Sequence, residues 1–195
     1  MLKEVLILAN KKGKAWDFTE EIYNKLVNHS RNSRVYNLGE VEIKKFNDGE
    51  IFSKVLTNVR NRTCFYVHDS SMNPQEGLMS LVQVNDALKR SSANKINNVL
   101  PYMNYSRQDR MTEPRTPITA KILANIISME AYGLITADLH NPAITGFYNI
   151  PVDNLKGYIP LSKHLKENYS NFLKDAIILA PDVGSAKMAG SYAKR

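Results

Sequence analysis

Four consecutive polar residues, Arg107-Gln108-Asp109-Arg110, come a few positions after an apolar run of the sequence. The run KINNVL at 95–100 is typical of a buried strand, and the chain beyond it turns polar. Arginine offers forked donors that match phosphate oxygens, while the amide of Gln108 and the carboxylate of Asp109 could recognise hydrogen-bonding edges. A solvated loop would explain the same residues, and the spacing alone leaves both interpretations open.

Two other predicted strands have an aspartate at or near their carboxyl end. ITADLH ends with Asp138 and His140, and alternate residues of a strand point to the same side. Such a pair could hold a divalent cation or position a water, or it could be a histidine bonded to a neighbouring acid. AIILAPD ends with Asp182 beside Gly184, where the carboxylate could be a metal ligand or, more simply, a helix N-cap.

The segment FNDGE, residues 46–50, carries a turn signal. Asp48-Gly49 between two strand-like runs predicts a β-hairpin, with Glu50 flanking the turn. Phe46 is unusual at a solvent-facing tip and would suit stacking on a flat ring. The chain contains neither G-x-x-x-x-G-K-[ST] nor G-x-G-x-x-G, so bound phosphates would rely on arginines and a metal.

The elements that must position these residues alternate along the chain. Short apolar runs rich in β-branched residues predict strands, and apolar residues between several of them recur with helical spacing. Thr116 and Pro117 predict a helix start, as N-cap and first helical residue. This alternation predicts an α/β protein with a mostly parallel sheet covered on both faces. The predicted strands are EVLILA, EIFSKVL, CFYVHD, INNVLPY, GLITADL and AIILAPD, and the helical stripes are Phe18-Ile22-Leu26, Leu78-Leu81-Val82-Leu88 and Ile118-Ile122-Ile126 beside Leu123 and Ile127.

Composition limits the class of protein. The 195 residues, 43% hydrophobic and 23% charged, fit one large globular domain or two small ones. The basic residues behind the net charge of +7 are scattered, whereas a nucleic-acid footprint is more often clustered; a solvated surface or phosphate ligands would explain them, and charge alone leaves this open. The N-terminal apolar run is too short for a membrane span and carries Glu4, so we expect a buried first strand in a cytoplasmic protein. Cys64 is expected to be a buried thiol in a reducing compartment.

A soft boundary is expected near 155–160, where Gly157 and Pro160 interrupt the chain. Residues 1–156 would form one domain, and 157–195 would begin a second. The predicted strand at 176–181 would have few neighbours to pair with. We therefore expect that the chain is a fragment or that its second domain has been lost.

The order of these motifs, over essentially the whole chain, resembles ribose-phosphate pyrophosphokinase. The Arg-Gln-Asp-Arg and Ile-Pro-Val-Asp-Asn-Leu stretches carry most of the likeness. The family transfers the diphosphoryl group of Mg-ATP to the 1-hydroxyl of ribose 5-phosphate and releases AMP. The matching motifs are FNDGE (46–50), DALKR (86–90), PYMNYSRQDR (101–110), RTPITAK (115–121), DLH (138–140), GFYNIPVDNL (146–155) and APDVG (180–184).

The resemblance implies phosphoribosyltransferase-like α/β domains, the second incomplete, in a homo-oligomer of two to six subunits. It implies that the hairpin at 46–50 reaches the adenine side of an ATP bound by a neighbouring subunit. It also implies Mg²⁺ as cofactor, with no nucleic-acid or membrane partner. The implied site residues are Phe46, Asp48, Gly49, Glu50, Arg107, Gln108 and Asp109 for ATP, and His140, Asp182 and Asp138 for magnesium.

The chain departs from the family in several places. The family's flexible loop with a catalytic Lys and Arg, and its paired-acid sugar-phosphate loop, are not found, so no catalytic residue is expected and this chain alone should be inactive. Residues 141–145 replace a Gln-containing stretch, Asn149 stands where many members have an acid, Ser185 replaces a glycine and Met188 an arginine. Two functions stay open: part of an active synthetase, or a non-catalytic regulatory or assembly partner that retains nucleotide binding.

Overall fold

The computed structural model describes residues 3–29 and 34–194. The chain divides into two compact units, Met1–Asn154 and Leu155–Arg195. The strands are β1 (Lys3–Asn10), β2 (Arg34–Lys45), β3 (Ile51–Val55), β4 (Thr63–Val67), β5 (Lys95–Leu100), β6 (Gly133–Ala137) and β7 (Val152–Leu155). The α-helices are α1 (Trp16–His29), α2 (Pro74–Arg90), α3 (Thr119–Ser128), α4 (Tyr158–Asn168), α5 (Ser170–Leu173) and α6 (Ala186–Ala193), with 3₁₀ helices at Pro142–Phe147 and Val183–Ser185.

The seven strands form one sheet in the order β3-β2-β1-β4-β5-β6-β7. Strand β1 pairs in parallel with β2 and β4, and β4-β5 and β5-β6 are also parallel, whereas β2 and β3 are antiparallel. The chain proceeds outward from β1 on one side and from β4 on the other, so the strand order reverses between them. The predicted α/β class, with a mostly parallel sheet flanked by helices, is confirmed.

Alternating strand residues build a core on each face of this sheet. Leu6 on β1, Tyr66 on β4 and Leu134 on β6 belong to one buried cluster, which also contains Leu81 of α2 and Ile127 of α3. The smaller opposite cluster places Ile7, Ala9 and Val67 against Trp16 at the start of α1. Each fully buried leucine of the larger cluster contributes about 2 kcal/mol through its removal from water.

The helix start predicted at Thr116 and Pro117 is wrong. Helix α3 begins at Thr119, its N-cap is Ile118, and no side chain caps it. The Thr116 hydroxyl donates instead to the carbonyl oxygen of Glu113, 2.8 Å away. That hydroxyl is therefore engaged in a turn that precedes the helix, and its oxygen caps no helical N–H group.

The predicted stripe matches the buried face of α2, where Leu81 and Leu88 are buried, and it matches α3 in part, where Leu123 and Ile127 are buried. In α1, Phe18 is 45% exposed, and in α3, Ile122 is 47% exposed. Apolar residues lie on more than one side of these two helices, so their spacing does not define a single inward face. The buried residues are Trp16 and Thr19 in α1, and Ala120, Leu123, Ala124 and Ile127 in α3.

The predicted hairpin is confirmed. Lys45 pairs with Ile51 at the end of the β2–β3 ladder, and the Phe46 N–H donates to the Glu50 carbonyl at 2.8 Å. Gly49 has a φ of 97°, a conformation that glycine adopts without strain. The rings of Phe46 and Phe52 lie 6.1 Å apart, and Phe46 is 51% exposed.

The strand predicted at 176–181 is wrong. In the part of the chain that the structure describes, no strand follows β7. Ile177 is 90% exposed and Leu179 is 86% exposed, so neither side chain packs into a core. A parallel strand needs neighbours to satisfy its backbone groups, and the described residues of this unit supply none.

The predicted buried thiol is confirmed, since Cys64 is fully buried and unpaired. Burial raises the pKa of its thiol to about 12, which leaves it unreactive at neutral pH. Over the described ranges 3–29 and 34–194, no helix combines the length and the apolar character needed to span a membrane.

Candidate functional site at the carboxyl edge of the sheet

Two of the sequence motifs follow neighbouring strands at the same edge of the sheet. Residues 101–118 follow β5, and residues 138–141 follow β6, which pairs with β5 in parallel up to Leu100↔Thr136. Ligands of open α/β sheets bind beyond the carboxyl ends of the strands, so this edge is the candidate site.

Arg107 and Arg110 are both exposed on the connection that follows β5. Neither guanidinium makes an ion pair or a hydrogen bond with any residue in the described ranges. Exposed guanidinium groups without an acidic partner can each meet phosphate oxygens with two parallel donors.

Gln108 and Asp109, in contrast, are held by their neighbours. The Thr119 hydroxyl donates to Gln108 Oε1 at 2.5 Å, and the Ala120 N–H donates to the Gln108 carbonyl at 3.1 Å. Asn141 Nδ2 donates to Asp109 Oδ2 at 3.0 Å. These bonds attach the segment to the start of α3 and to the chain that follows β6.

Asp138 and His140 lie just beyond the end of β6 at Ala137. Both side chains are exposed, whereas Leu139 between them is buried and its N–H donates to Asn154 Oδ1 at 3.2 Å. Asp138 has a φ of 45°, so the alternation argument from a regular strand does not apply at this position. Both residues lie at the carboxyl edge because they follow directly after β6, with the buried Leu139 between them.

Three of the five non-glycine residues with left-handed backbone in the described ranges lie at this edge. Tyr105, Arg115 and Asp138 have φ values of 60°, 68° and 45°, and they lie in the two segments that follow β5 and β6. Each such non-glycine residue costs on the order of 1 kcal/mol, and strained residues of this kind gather at functional sites.

The hairpin does not join this site within one chain. Strand β2 lies four places from β6 in the sheet, which corresponds to a separation of roughly 19 Å. Its register with β1 ends at Asn10↔Val41, so β2 runs on to Lys45 beyond the end of β1. The structure therefore places the residues at 46–50 on a projection apart from Arg107, Gln108 and Asp109.

Asp182, in the second unit, is an N-cap. Its Oδ1 accepts the Ser185 N–H at 2.8 Å and the Ser185 hydroxyl at 2.9 Å, at the start of the second 3₁₀ helix. The hydrogen bond from the Ser185 side chain, with those from the backbone, lowers the pKa of this carboxyl. The capping interpretation of the sequence is confirmed.

Sequence reasoning overlooked His68 and Asp69, which follow β4 at the same edge. The Lys14 N–H donates to Asp69 Oδ2 at 2.8 Å, while Ser71 donates to Oδ1 through its N–H at 3.0 Å and its hydroxyl at 2.6 Å. Through its bond from Lys14, Asp69 holds the loop after β1 in place, at the point where the strand order reverses. The signal was available, since CFYVHDS, like ITADLH, is an apolar run that ends in Asp and His.

A metal ion at this edge would need ligands in addition to the side chains present there. Within residues 3–29 and 34–194, no three or more His, Cys, Asp or Glu side chains are grouped so that they could bind a metal ion by themselves. Mg²⁺ usually keeps several waters and takes one or two carboxylates together with substrate phosphates. Asp138 supplies such a carboxylate, with the His140 imidazole two residues away.

Comparisons with known proteins point to one family. The family model for the N-terminal domain of ribose phosphate pyrophosphokinase matches residues 10–131, which include the hairpin and the segment after β5. The ribose-phosphate pyrophosphokinase of Rhizobium meliloti is 44% identical over 159 residues, covering 81% of this chain and 51% of that protein. That of Campylobacter jejuni is 42% identical over 158 residues, covering 80% and 50%.

A solved structure gives the same result. The phosphoribosylpyrophosphate synthetase from Mycobacterium smegmatis matches with a TM-score of 0.82 and 27% identity, over 98% of this chain and 61% of that one. The chain thus spans about half the length of the curated relatives that it matches.

Proposed function

The chain belongs to the ribose-phosphate pyrophosphokinase family, and from this premise we propose that it binds Mg-ATP for diphosphoryl transfer. The reaction moves the diphosphoryl group of ATP to the 1-hydroxyl of ribose 5-phosphate and gives phosphoribosyl pyrophosphate and AMP. Residues 1–156 form the ATP-side domain, and 157–195 begin a second domain of the same type. We place the protein in the cytoplasm.

One observation carries this proposal: Arg107 and Arg110 stand free at the carboxyl edge on a segment that its neighbours hold in place. Diphosphoryl transfer builds negative charge on several phosphate oxygens, and fixed guanidinium groups offset that charge without reorganisation. Arg107 is proposed to bind the triphosphate. Gln108 and Asp109 contact the nucleotide through the side-chain polar atoms that are not bonded to Thr119 and Asn141.

Asp138 and His140 are the proposed magnesium contacts of the first unit, because they lie exposed beyond β6, the strand next to β5. When bound, Mg²⁺ neutralises phosphate charge and orients the transferring group. Asp182 is proposed as a magnesium contact of the second unit, and its carboxylate would then serve the ion in addition to its bonds with Ser185.

The hairpin is proposed to act on a neighbouring subunit of a homo-oligomer with two to six copies. Its tip projects beyond β1, its strand β2 lies roughly 19 Å along the sheet from β6, and its phenylalanine is half exposed. Phe46, Asp48, Gly49 and Glu50 would therefore meet the adenine of an ATP that another copy holds. An aromatic ring at the tip suits stacking on a flat base.

We propose no catalytic residue within these 195 residues. The chain alone should bind ATP without releasing AMP in the presence of ribose 5-phosphate. Turnover by this chain would contradict that part of the proposal. A non-catalytic assembly partner would also bind ATP without turnover. Activity in a chain extended at its C-terminus would distinguish part of an active synthetase from such a partner.

The test is calorimetric titration of the chain with ATP in the presence of Mg²⁺. We expect Arg107→Ala to weaken binding about tenfold or more, since it removes a charge-assisted contact. Arg60→Ala is the matched control, because Arg60 is also an exposed arginine, in the connection that leads into β4 at the opposite edge. Equal losses in the two variants would overturn the site.

His140→Ala tests the magnesium side in the same titration. We expect it to weaken ATP binding in Mg²⁺ and to have little effect in EDTA, because the residue acts through the ion. His29→Ala is its control, an exposed histidine at the end of α1. A wild-type chain that binds no ATP would overturn the proposed function.

A further inference from the structure

The arginines of the candidate site lie on a long connection, residues 101–118, that contains no helix or strand. A side chain on a loop is placed only as accurately as the loop is anchored. Gln108 is bound to residues at the start of α3, immediately after this connection. Asp109 has a different anchor, since Asn141 comes from another part of the chain, beyond β6.

Asn141 uses both ends of its side-chain amide. Its Oδ1 accepts the Ala143 N–H at 3.0 Å and caps the first 3₁₀ helix, and its Nδ2 donates to Asp109 Oδ2 at 3.0 Å. The cap requires an oxygen and the carboxylate requires an N–H donor, so the chemistry settles the orientation of the amide. Serine at 141 would keep the cap but has no NH₂ group, and aspartate would oppose two carboxylates.

The bond connects the two halves of the candidate site. Asn141 directly follows His140, so the segment with Arg107 and Arg110 is tied to the chain that carries Asp138 and His140. Asp109 Oδ2 accepts a hydrogen bond from the neutral amide of Asn141, and Asp109 forms no ion pair with Arg107 or Arg110. Both guanidinium groups therefore stay available.

We propose that Asn141 is a positioning residue that sets the arginine segment relative to the magnesium-side residues. It touches neither phosphate nor metal and acts through Asp109. The inference rests on the proposed function for its effect on ATP. The hydrogen bond between Asn141 and Asp109, here called the clamp, can itself be tested without nucleotide.

The first test is amide hydrogen exchange of the full chain without nucleotide. Asn141→Ser should keep the cap and release Asp109, so exchange within 101–118 should become about tenfold faster, as expected for a lost hydrogen bond to a charged group. Thr145→Ala is the matched control, because its hydroxyl bonds the Pro142 carbonyl in the same 3₁₀ helix without touching Asp109. It should leave exchange in 101–118 unchanged.

The second test reverses the partners. Asn141→Asp alone should loosen 101–118 more than Asn141→Ser does, because two carboxylates then face each other. Combining it with Asp109→Asn again sets one amide against one carboxylate, and protection should return to within about threefold of wild type. A purely structural effect of the single change would not be rescued in this way.

The third readout is ATP affinity in Mg²⁺, which should fall about tenfold in Asn141→Ser and not in Thr145→Ala. Unchanged exchange in Asn141→Ser, or a double variant no better than Asn141→Asp alone, would overturn the clamp. Lost protection with unchanged ATP affinity would overturn its positioning role. A wild-type chain that binds no ATP would overturn the proposed function and that role together, while the exchange result would still decide the clamp.

Discussion

At the scale of single residues, burial and local partners set the chemistry of side chains that look alike in the sequence. His68 is 4% exposed, and burial lowers the pKa of its imidazole to about 4, although the Asp69 charge acts in the opposite direction. His140 is exposed and sits beyond β6. Two histidines that each lie within two residues of an aspartate thus differ in environment: one is a buried neutral group, the other an exposed candidate ligand.

The buried histidine predicts a pH-dependent stability. Its pKa is lower in the folded chain than the ordinary 6.5, so between pH 4 and 6.5 the unfolded chain binds the additional proton. The stabilisation is complete above pH 6.5 and is lost as pH falls through this window. Between pH 7 and pH 5, His68 should account for a loss of about 2 kcal/mol in the free energy of unfolding.

Urea unfolding of wild type, His68→Gln and His29→Gln at both pH values measures this effect. The exposed His29 is the control and should leave the pH dependence of wild type in place. His68→Gln should remove most of it. An equal pH dependence in all three proteins would contradict the assignment.

At the scale of elements, helix α2 supports the base of the β2–β3 hairpin, whose tip projects beyond β1. Gln83 Nε2 of α2 donates to the Ile51 carbonyl at 2.6 Å, and Lys45 pairs with Glu76 at 2.6 Å, so α2 supports the base of the hairpin. The turn depends on Gly49 at a φ of 97°, although a Cβ there would meet no atom within 4 Å. The demand for glycine is therefore one of backbone conformation alone.

Gly49→Ala should lower the free energy of unfolding by about 1 kcal/mol, the cost of left-handed backbone for alanine. Gly146→Ala is the matched control, because a Cβ at Gly146 also meets open space and the backbone there is not left-handed. Denaturant unfolding compares the two. A Gly49→Ala protein as stable as Gly146→Ala would show that the turn adapts.

At the scale of the whole molecule, the described apolar core belongs to the unit Met1–Asn154. Among the described residues of the unit Leu155–Arg195, only Ser162 is buried, and the apolar run at 177–179 is exposed. A β-branched run that stays unpaired is a site for pairing with another chain or for aggregation.

Two leucine truncations test this division. Leu134→Ala, at a position 1% exposed in β6, should cost roughly 2–5 kcal/mol, because it leaves a cavity in a packed core. Leu179→Ala, at a position 86% exposed, should change the free energy of unfolding by less than about 0.5 kcal/mol. Equal losses would show that Leu179 packs against other residues in solution.

Sequence pattern by itself determined the parts of this protein that depend on local chemistry. Alternating apolar runs and helical spacing predicted the α/β class, and Asp48-Gly49 predicted the hairpin, because strand period and turn geometry are properties of neighbouring residues. The same logic failed at Thr116, whose hydroxyl found a partner in Glu113. It also failed at 176–181, because a strand exists only where other strands pair with it.

Only the tertiary structure decided what lies together. Asp109 and Asn141 are far apart in the sequence, and they meet because parallel β5 and β6 end at the same edge of the sheet. The strand order likewise separates the hairpin from Arg107 within one chain. Pairing order and register fix such distances, and they result from long-range packing that no local window of residues contains.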